Sequence, residues 1–176
     1  MVKVEKAYQF HGPDASATLS LEDLFAGKDQ LIVYNFMLPP GAARVCSGCA
    51  CVAEHLPDVR HLRSRNTALV VVSRAPYAEI AESKAKLGWK FPWVSSYGSD
   101  FNRDFDATTA DGREKPNLNV FYRKDGVVYH TYSIFADGVD SILTAYQLLD
   151  FTPLGRQDEA HNYADFKLNY EYDEDA

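Results

Sequence analysis

The feature that most restricts this chain is Cys46-Ser47-Gly48-Cys49, a dithiol between a β-prone apolar run and a stretch of helical periodicity. The run is Leu31-Ile32-Val33-Tyr34-Asn35-Phe36-Met37, short and continuous enough for a buried central strand, and Pro39-Pro40-Gly41 ends it. Beyond the cysteines, Val52, Leu56, Val59 and Leu62 recur at helical spacing. Pro57 is expected to kink or split that helix, because it cannot supply an interior N–H. A helix start presents unpaired N–H groups and a partial positive charge of about half an elementary unit. Both stabilise a thiolate, the attacking form of cysteine. In that geometry Cys46 is the nucleophile and Cys49, about one turn further in, the resolving thiol. Gly48 lets the turn tighten, and Ser47 adds a small uncharged hydroxyl.

The other elements follow in a legible order. Leu69-Val70-Val71-Val72 reads as a second buried strand. Pro76 suits the first turn of a helix carrying Ile80, Lys84 and Leu87 and stopped by Gly88. Leu118 to Tyr122 and Val127 to Tyr132 flank Lys124-Asp125-Gly126, a hairpin signature. A last helix places Val139, Ile142, Leu143, Tyr146 and Leu149 on one face. Tyr8 to Leu24 reads as an added N-terminal hairpin. The order strand, cysteine turn, helix, strand, helix, two strands, helix predicts an α/β thioredoxin-like fold, a mixed central sheet with helices on both faces. One domain is expected over residues 1–160, with an acidic aromatic tail over 161–176.

Composition narrows the partners. The chain has 176 residues, 46% of them apolar, enough for one domain with a sizeable core. No stretch approaches the ~18 consecutive apolar residues of a membrane helix. Met1 to Phe10 carries Lys3, Glu5 and Lys6 and no apolar run, so no secretory signal is read and the cytoplasm is the expected location. Net charge is −7, and from Asp158 onward seven acids face one base, so six of those charges sit in the tail. The nearly neutral body gives no electrostatic reason to expect nucleic acid or anionic membranes. In the tail, Phe166, Leu168, Tyr170 and Tyr172 alternate with polar residues, which predicts an extended segment with one apolar face. It would pack on its own domain or on a partner subunit, which leaves a homodimer open.

The cysteines number three, at 46, 49 and 51, too few and too clustered for a disulfide framework in a cytosolic chain. Redox chemistry is the first reading, on a protein or small-molecule disulfide or thiol substrate and with no cofactor. Cys51 would point about 200° round a helix from Cys49 and cannot easily join the same disulfide. It is either a small core hydrophobe or part of a soft-metal site for Zn²⁺ or Cu(I), with Cys46, Cys49 and His55. A redox-inert scaffold is the third reading. Trp89 and Trp93 flank Pro92 and are candidates to line a substrate groove near the cysteine turn. His130 is read first as a core hydrogen-bonding residue and second as a proton relay to the dithiol, and Arg74, near the end of the second strand, as a solvated or ion-paired residue before one that approaches Cys46. Asp100, Asn102, Asp104 and Asp106 have the alternating oxygens of a calcium loop, but Phe105 and Asp111 occupy the positions of its Gly and terminal Glu.

The chain also resembles, from about residue 8 to 160, a large bacterial family of thioredoxin-like proteins of unknown function, often labelled dithiol-disulfide isomerases. The resemblance rests on the Leu31–Met37 run, Cys46-Ser47-Gly48-Cys49, Ser73-Arg74-Ala75-Pro76 and Gly88-Trp89-Lys90-Phe91-Pro92-Trp93-Val94-Ser95-Ser96. It continues with Ser99-Asp100-Phe101-Asn102-Arg103-Asp104-Phe105, His130-Thr131-Tyr132-Ser133 and Leu149-Asp150-Phe151-Thr152-Pro153-Leu154-Gly155-Arg156. It implies the fold and a thiol redox role and names no substrate. A more distant likeness is to peroxiredoxins, through Leu21 to Gly27, Phe91-Pro92 and Ser99-Asp100. Their peroxide-attacking Cys follows a Pro and then a Thr or Ser at fixed spacing. Pro39 matches, but the hydroxyl position is Ala43, which favours oxidoreductase over peroxidase. Thioredoxins also set a cis-proline facing the dithiol, before the third core strand. Pro116 is the candidate here, although the hairpin turn places the usual site nearer Leu118.

Overall fold

The computed structural model describes residues 1–157 and 167–172. Its centre is β4 (Gln30–Asn35), whose apolar run has parallel β5 (Thr67–Ser73) on one side and antiparallel β7 (Asn117–Lys124) on the other. A strand buried on both faces needs apolar side chains in both directions. β4 complies: Leu31 and Val33 enter one core and Tyr34 the other. β8 (Val127–Phe135) closes the Asp125-Gly126 hairpin against β7, and β1 (Val2–Lys3) pairs with β8. β6 (Trp93–Ser95) runs parallel to β5, and the expected N-terminal hairpin, β2 (Gln9–His11) with β3 (Thr18–Ser20), extends that edge through His11 and Ser95. The described sheet is therefore mixed and eight-stranded, in the order β1-β8-β7-β4-β5-β6-β2-β3.

Helices cover both faces. On one lie α2 (Ser47–Glu54) and α4 (Tyr77–Leu87), packing Ala50, Ala53, Ile80 and Leu87 against Tyr34, Phe36, Val71 and Trp93. On the other, α1 (Leu21–Leu24) and α5 (Phe101–Asp104) enclose Phe10, Phe25, Phe101 and Phe121. Gly88 ends α4 in the left-handed region at φ 71°, a conformation that costs glycine little.

Three expectations change. Pro57 does split its helix, and the second piece, α3 (Val59–Arg63), packs against β5 with Val59 and Leu62 only half-buried. The last helix is a 3₁₀ segment (Ala136–Ile142) followed by α6 (Thr144–Leu149), because Leu143 at φ −83°, ψ 82° leaves helical geometry. The tail is not an extended strand within 167–172. It forms a 3₁₀ turn (Asn169–Glu171), with Leu168 buried and Tyr170 and Tyr172 about half exposed. Phe166 and the junction at 160/161 lie outside the described residues.

Candidate active site

The site forms where β4 hands the chain to α2. Cys46 is the N-cap of α2, in extended backbone at φ −69°, ψ 122°, and its Sγ accepts the Cys49 N–H at 3.4 Å. A sulfur thus occupies the place usually taken by a Ser or Asp oxygen. The first turn of α2 holds no acidic side chain to oppose a second anion.

The two thiols are made unlike by their surroundings. Cys46 is pulled down to about 6, first by a hydrogen bond from the Cys49 thiol and then by the Cys49 and Gly48 N–H groups and the charge of Arg44; burial works against this. Cys49 is 2% exposed. It is pushed well above the ordinary thiol range by its bond to Cys46, by burial and by the Cys46 charge. These opposite shifts describe one shared proton, held on Cys49 while Cys46 is a thiolate. Two donors pull Cys49 back: the Met37 backbone N–H and the Tyr34 hydroxyl.

Cys51 stands apart. Burial and the neighbouring Glu54 raise it to about 11. Its Sγ lies 3.9 Å from His55 Nδ1, which itself sits 2.6 Å from the Cys51 carbonyl oxygen. Among the described residues, no three His, Cys, Asp or Glu side chains are gathered to hold a metal. The expected Cys46, Cys49, Cys51 and His55 site is therefore not assembled, because the helix turns Cys51 away from the other two thiols.

The remaining expected residues separate. Trp93 is 1% exposed and donates its indole N–H to Ser73 Oγ at 3.0 Å. It packs beneath the surface with Phe36, Trp89 and Phe91, so the groove expected from Trp89 and Trp93 is an aromatic cluster instead. Trp89 walls a cleft of about 800 Å³ with Ala53, Glu54 and Phe91, at the opposite end of α2 from Cys46. Pro116 is half-buried and trans, directly before β7, whose Asn117 pairs with Asn35 at the end of β4. Arg74 is engaged by Glu114. His130 bonds Asn119 and Ser133 and packs edge-on to Phe105, beside the core opposite α2, so it offers no relay to the dithiol. Asp100 and Asp104 are held by Lys6, and Asn102 is buried against Ser96, which dissolves the calcium-loop pattern.

Two features, Arg44 and Tyr34, escaped the sequence, and a third, the docking of the tail, was expected without its location. Arg44 sits in a loop with no motif around it. Tyr34 is an apolar strand residue whose single polar atom carries the interest. The segment 167–172 crosses back to the site: Leu168 joins the cluster containing Cys49, and Glu171 reaches Arg44 at 3.7 Å. The apolar alternation of the tail was the available signal for that docking.

The sequence matches, over residues 1–172, the family described as bacterial protein of unknown function (DUF899), and the chain belongs to that family. No curated protein matches it. Among solved structures it is similar to peroxidoxin BcpB from Mycobacterium tuberculosis, at 15% identity and TM-score 0.57, covering 85% of this chain and 99% of that one. It is also similar to Plasmodium yoelii thioredoxin peroxidase I, at 17% identity and TM-score 0.53, covering 85% and 91%. The mitochondrial 2-cys peroxiredoxin of Plasmodium falciparum gives 15% identity and TM-score 0.53, covering 85% and 93%. These likenesses establish a thioredoxin-like fold. No helix among the described residues is long and apolar enough to cross a membrane.

Proposed function

We propose that this DUF899 protein is a thiol-disulfide oxidoreductase that works through Cys46 and Cys49. The observation that carries the reading is the placement of the pair: a half-buried Cys46 caps the start of α2, its Sγ accepting the Cys49 N–H at 3.4 Å, with Cys49 buried one turn in, a setting that draws Cys46 down to about 6 and pushes Cys49 up. Cys46 thiolate attacks one sulfur of a substrate disulfide, forming a mixed disulfide and expelling the other sulfur as a thiolate, which takes a proton from water. Cys49 then attacks Cys46 Sγ. The mixed disulfide breaks, the Cys46–Cys49 disulfide forms, and the proton of Cys49 leaves with the second product thiol. The substrate is reduced by two electrons and the protein oxidised by two. Pro116, at the same end of the sheet as the dithiol, is the residue assigned to meet the substrate chain. The cytoplasm, a reducing compartment, suits such a cycle.

Reduction of a protein disulfide such as insulin by the reduced protein tests this. Cys46→Ser should abolish turnover, and Cys51→Ser should retain most of it. Equal loss in both, or none in Cys46→Ser, overturns the assignment. The peroxidase alternative is disfavoured by Ala43, since no hydroxyl stands three residues before Cys46 to hold a peroxide. Peroxide consumption faster than disulfide reduction would reverse that preference.

A further inference from the structure

The chain carries one peptide already seated beside its dithiol. Residues 167–172 return to the loop 41–45, which leads directly into Cys46, and they lie against that loop and α4. Leu168 is 2% exposed and enters the core cluster that holds Val45, Cys49 and Leu87, against which Cys46 also packs. Two residues on, Lys86 of α4 stands over the Tyr170 ring, 5.2 Å from its centre. Glu171 then reaches Arg44 at 3.7 Å, while its other carboxylate oxygen accepts the Leu168 N–H at 2.8 Å. The walls are joined without the segment. The Gly41 N–H donates to the Glu79 carboxylate of α4 at 2.9 Å, and the Ala75 N–H donates to the Leu38 carbonyl at 2.8 Å. A cleft of about 270 Å³ remains between loop, helix and segment, lined in part by Leu38, Arg44, Glu82, Lys86 and Tyr170.

These contacts are of a kind that another chain can supply. One apolar side chain is buried, the ion pair with Arg44 faces solvent, and Tyr170 is half exposed. Exposed ion pairs and exposed cation–ring contacts each contribute little, and the entropy of fixing the segment opposes them. A protein disulfide needs a surface beside Cys46 on which to rest, because Cys46 is itself half-buried. We infer, on the dithiol reading above, that the groove between loop 41–45 and α4 is the docking surface for the substrate polypeptide, and that residues 168–171 occupy it in that chain's absence. The segment defines what the groove takes. An aliphatic residue fills the floor, an aromatic two positions later lies under Lys86, and an acid directly after it meets Arg44. The seated tail competes with protein substrates for the approach to Cys46. Small disulfides need no groove and escape that competition.

Single-turnover reduction by the prereduced protein tests this with three disulfides. Two are symmetric peptide disulfides, of Cys-Gly-Leu-Asn-Tyr-Glu and of Cys-Gly-Ser-Asn-Ser-Lys; the third is hydroxyethyl disulfide, small and uncharged. The first peptide should be reduced roughly tenfold faster than the second, the effect of burying one aliphatic side chain. Tyr170→Ala with Glu171→Ala should raise the rate on the first peptide by roughly three- to tenfold, since apparent affinity scales with the fraction of open groove. The same variant should leave hydroxyethyl disulfide within about twofold of the parent. Arg44→Glu should lower the preference for the first peptide by roughly threefold, and Lys in place of the Glu of that peptide should restore it. Equal rates of the parent on the two peptides overturn the docking surface. A preference that persists with no gain in the tail variant overturns its occupation by residues 168–171. Failure of the parent to reduce even hydroxyethyl disulfide overturns both together with the dithiol reading.

Discussion

Replacing Cys49 by Ala should raise the reactivity midpoint of Cys46, by an amount the structure bounds. The largest support of the Cys46 thiolate is the hydrogen bond from the Cys49 thiol; the Cys49 and Gly48 N–H groups and Arg44 remain after substitution. A hydrogen bond to a charged group contributes about 1.5–3 kcal/mol, and 1.36 kcal/mol is one pK unit, so the midpoint moves up by about one to two units. From about 6 in the parent it should reach ~7 to ~8. At pH 6 the thiolate fraction then drops from about half to ~1–10%, a loss of roughly 5- to 50-fold in alkylation rate that vanishes near pH 9. Iodoacetamide labelling across pH in a Cys51→Ser background, quantified on the Cys46 peptide by mass spectrometry, reads this directly. A parent midpoint near the ordinary ~8.5, or no shift in Cys49→Ala, would refute the account of how Cys46 is activated.

Two further predictions concern stability. Leu168→Ala, at a side chain 2% exposed in the cluster containing Cys49, should cost about 2–3 kcal/mol and lower Tm by about 5–10 °C by calorimetry. An unchanged Tm would mean the segment 167–172 does not dock in solution. Raising the pH should weaken the reduced protein. The folded pKa of Cys51 is raised to about 11, so its contribution is intact below the unfolded thiol value of ~8.5 and is lost as pH rises through about 11. Cys49 acts with the same sign, whereas Cys46, whose folded pKa is lowered to about 6, gives stability that is present above the unfolded value and lost as pH falls through about 6. Tm of the reduced protein should therefore fall between pH 8 and 10.5, and fall less in Cys51→Ser; equal slopes would contradict the shift assigned to Cys51.

What the sequence revealed and what it hid follow from the range of the interactions involved. The β4 run, the Asp125-Gly126 turn, the Pro57 break and the Gly88 stop are local signals, and all four stand in the structure. The dithiol was legible for the same reason, since a strand exit and a helix start lie on either side of it. Trp93 was misread because an aromatic beside a proline gives no sign of which way it faces; its partner Ser73 is twenty residues away. The metal reading counted spacing along the chain, whereas helix geometry turns Cys51 from Cys46 and Cys49. The tail alternation carried a true signal of docking and a false one of strand structure, because a six-residue segment with Leu168 as its buried anchor can close as a 3₁₀ turn. Arg44 and Tyr34 acquire meaning only through Cys46 and Cys49, contacts that no local pattern announces.

The most direct test of the central claim is a redox titration of the whole protein in glutathione buffers, followed by mass and peptide mapping. The account predicts one two-electron couple, with Cys46 and Cys49 joined, Cys51 left as a thiol, and a midpoint between about −120 and −320 mV. A protein that forms no internal disulfide across that range, or one that joins Cys51 instead, would contradict it.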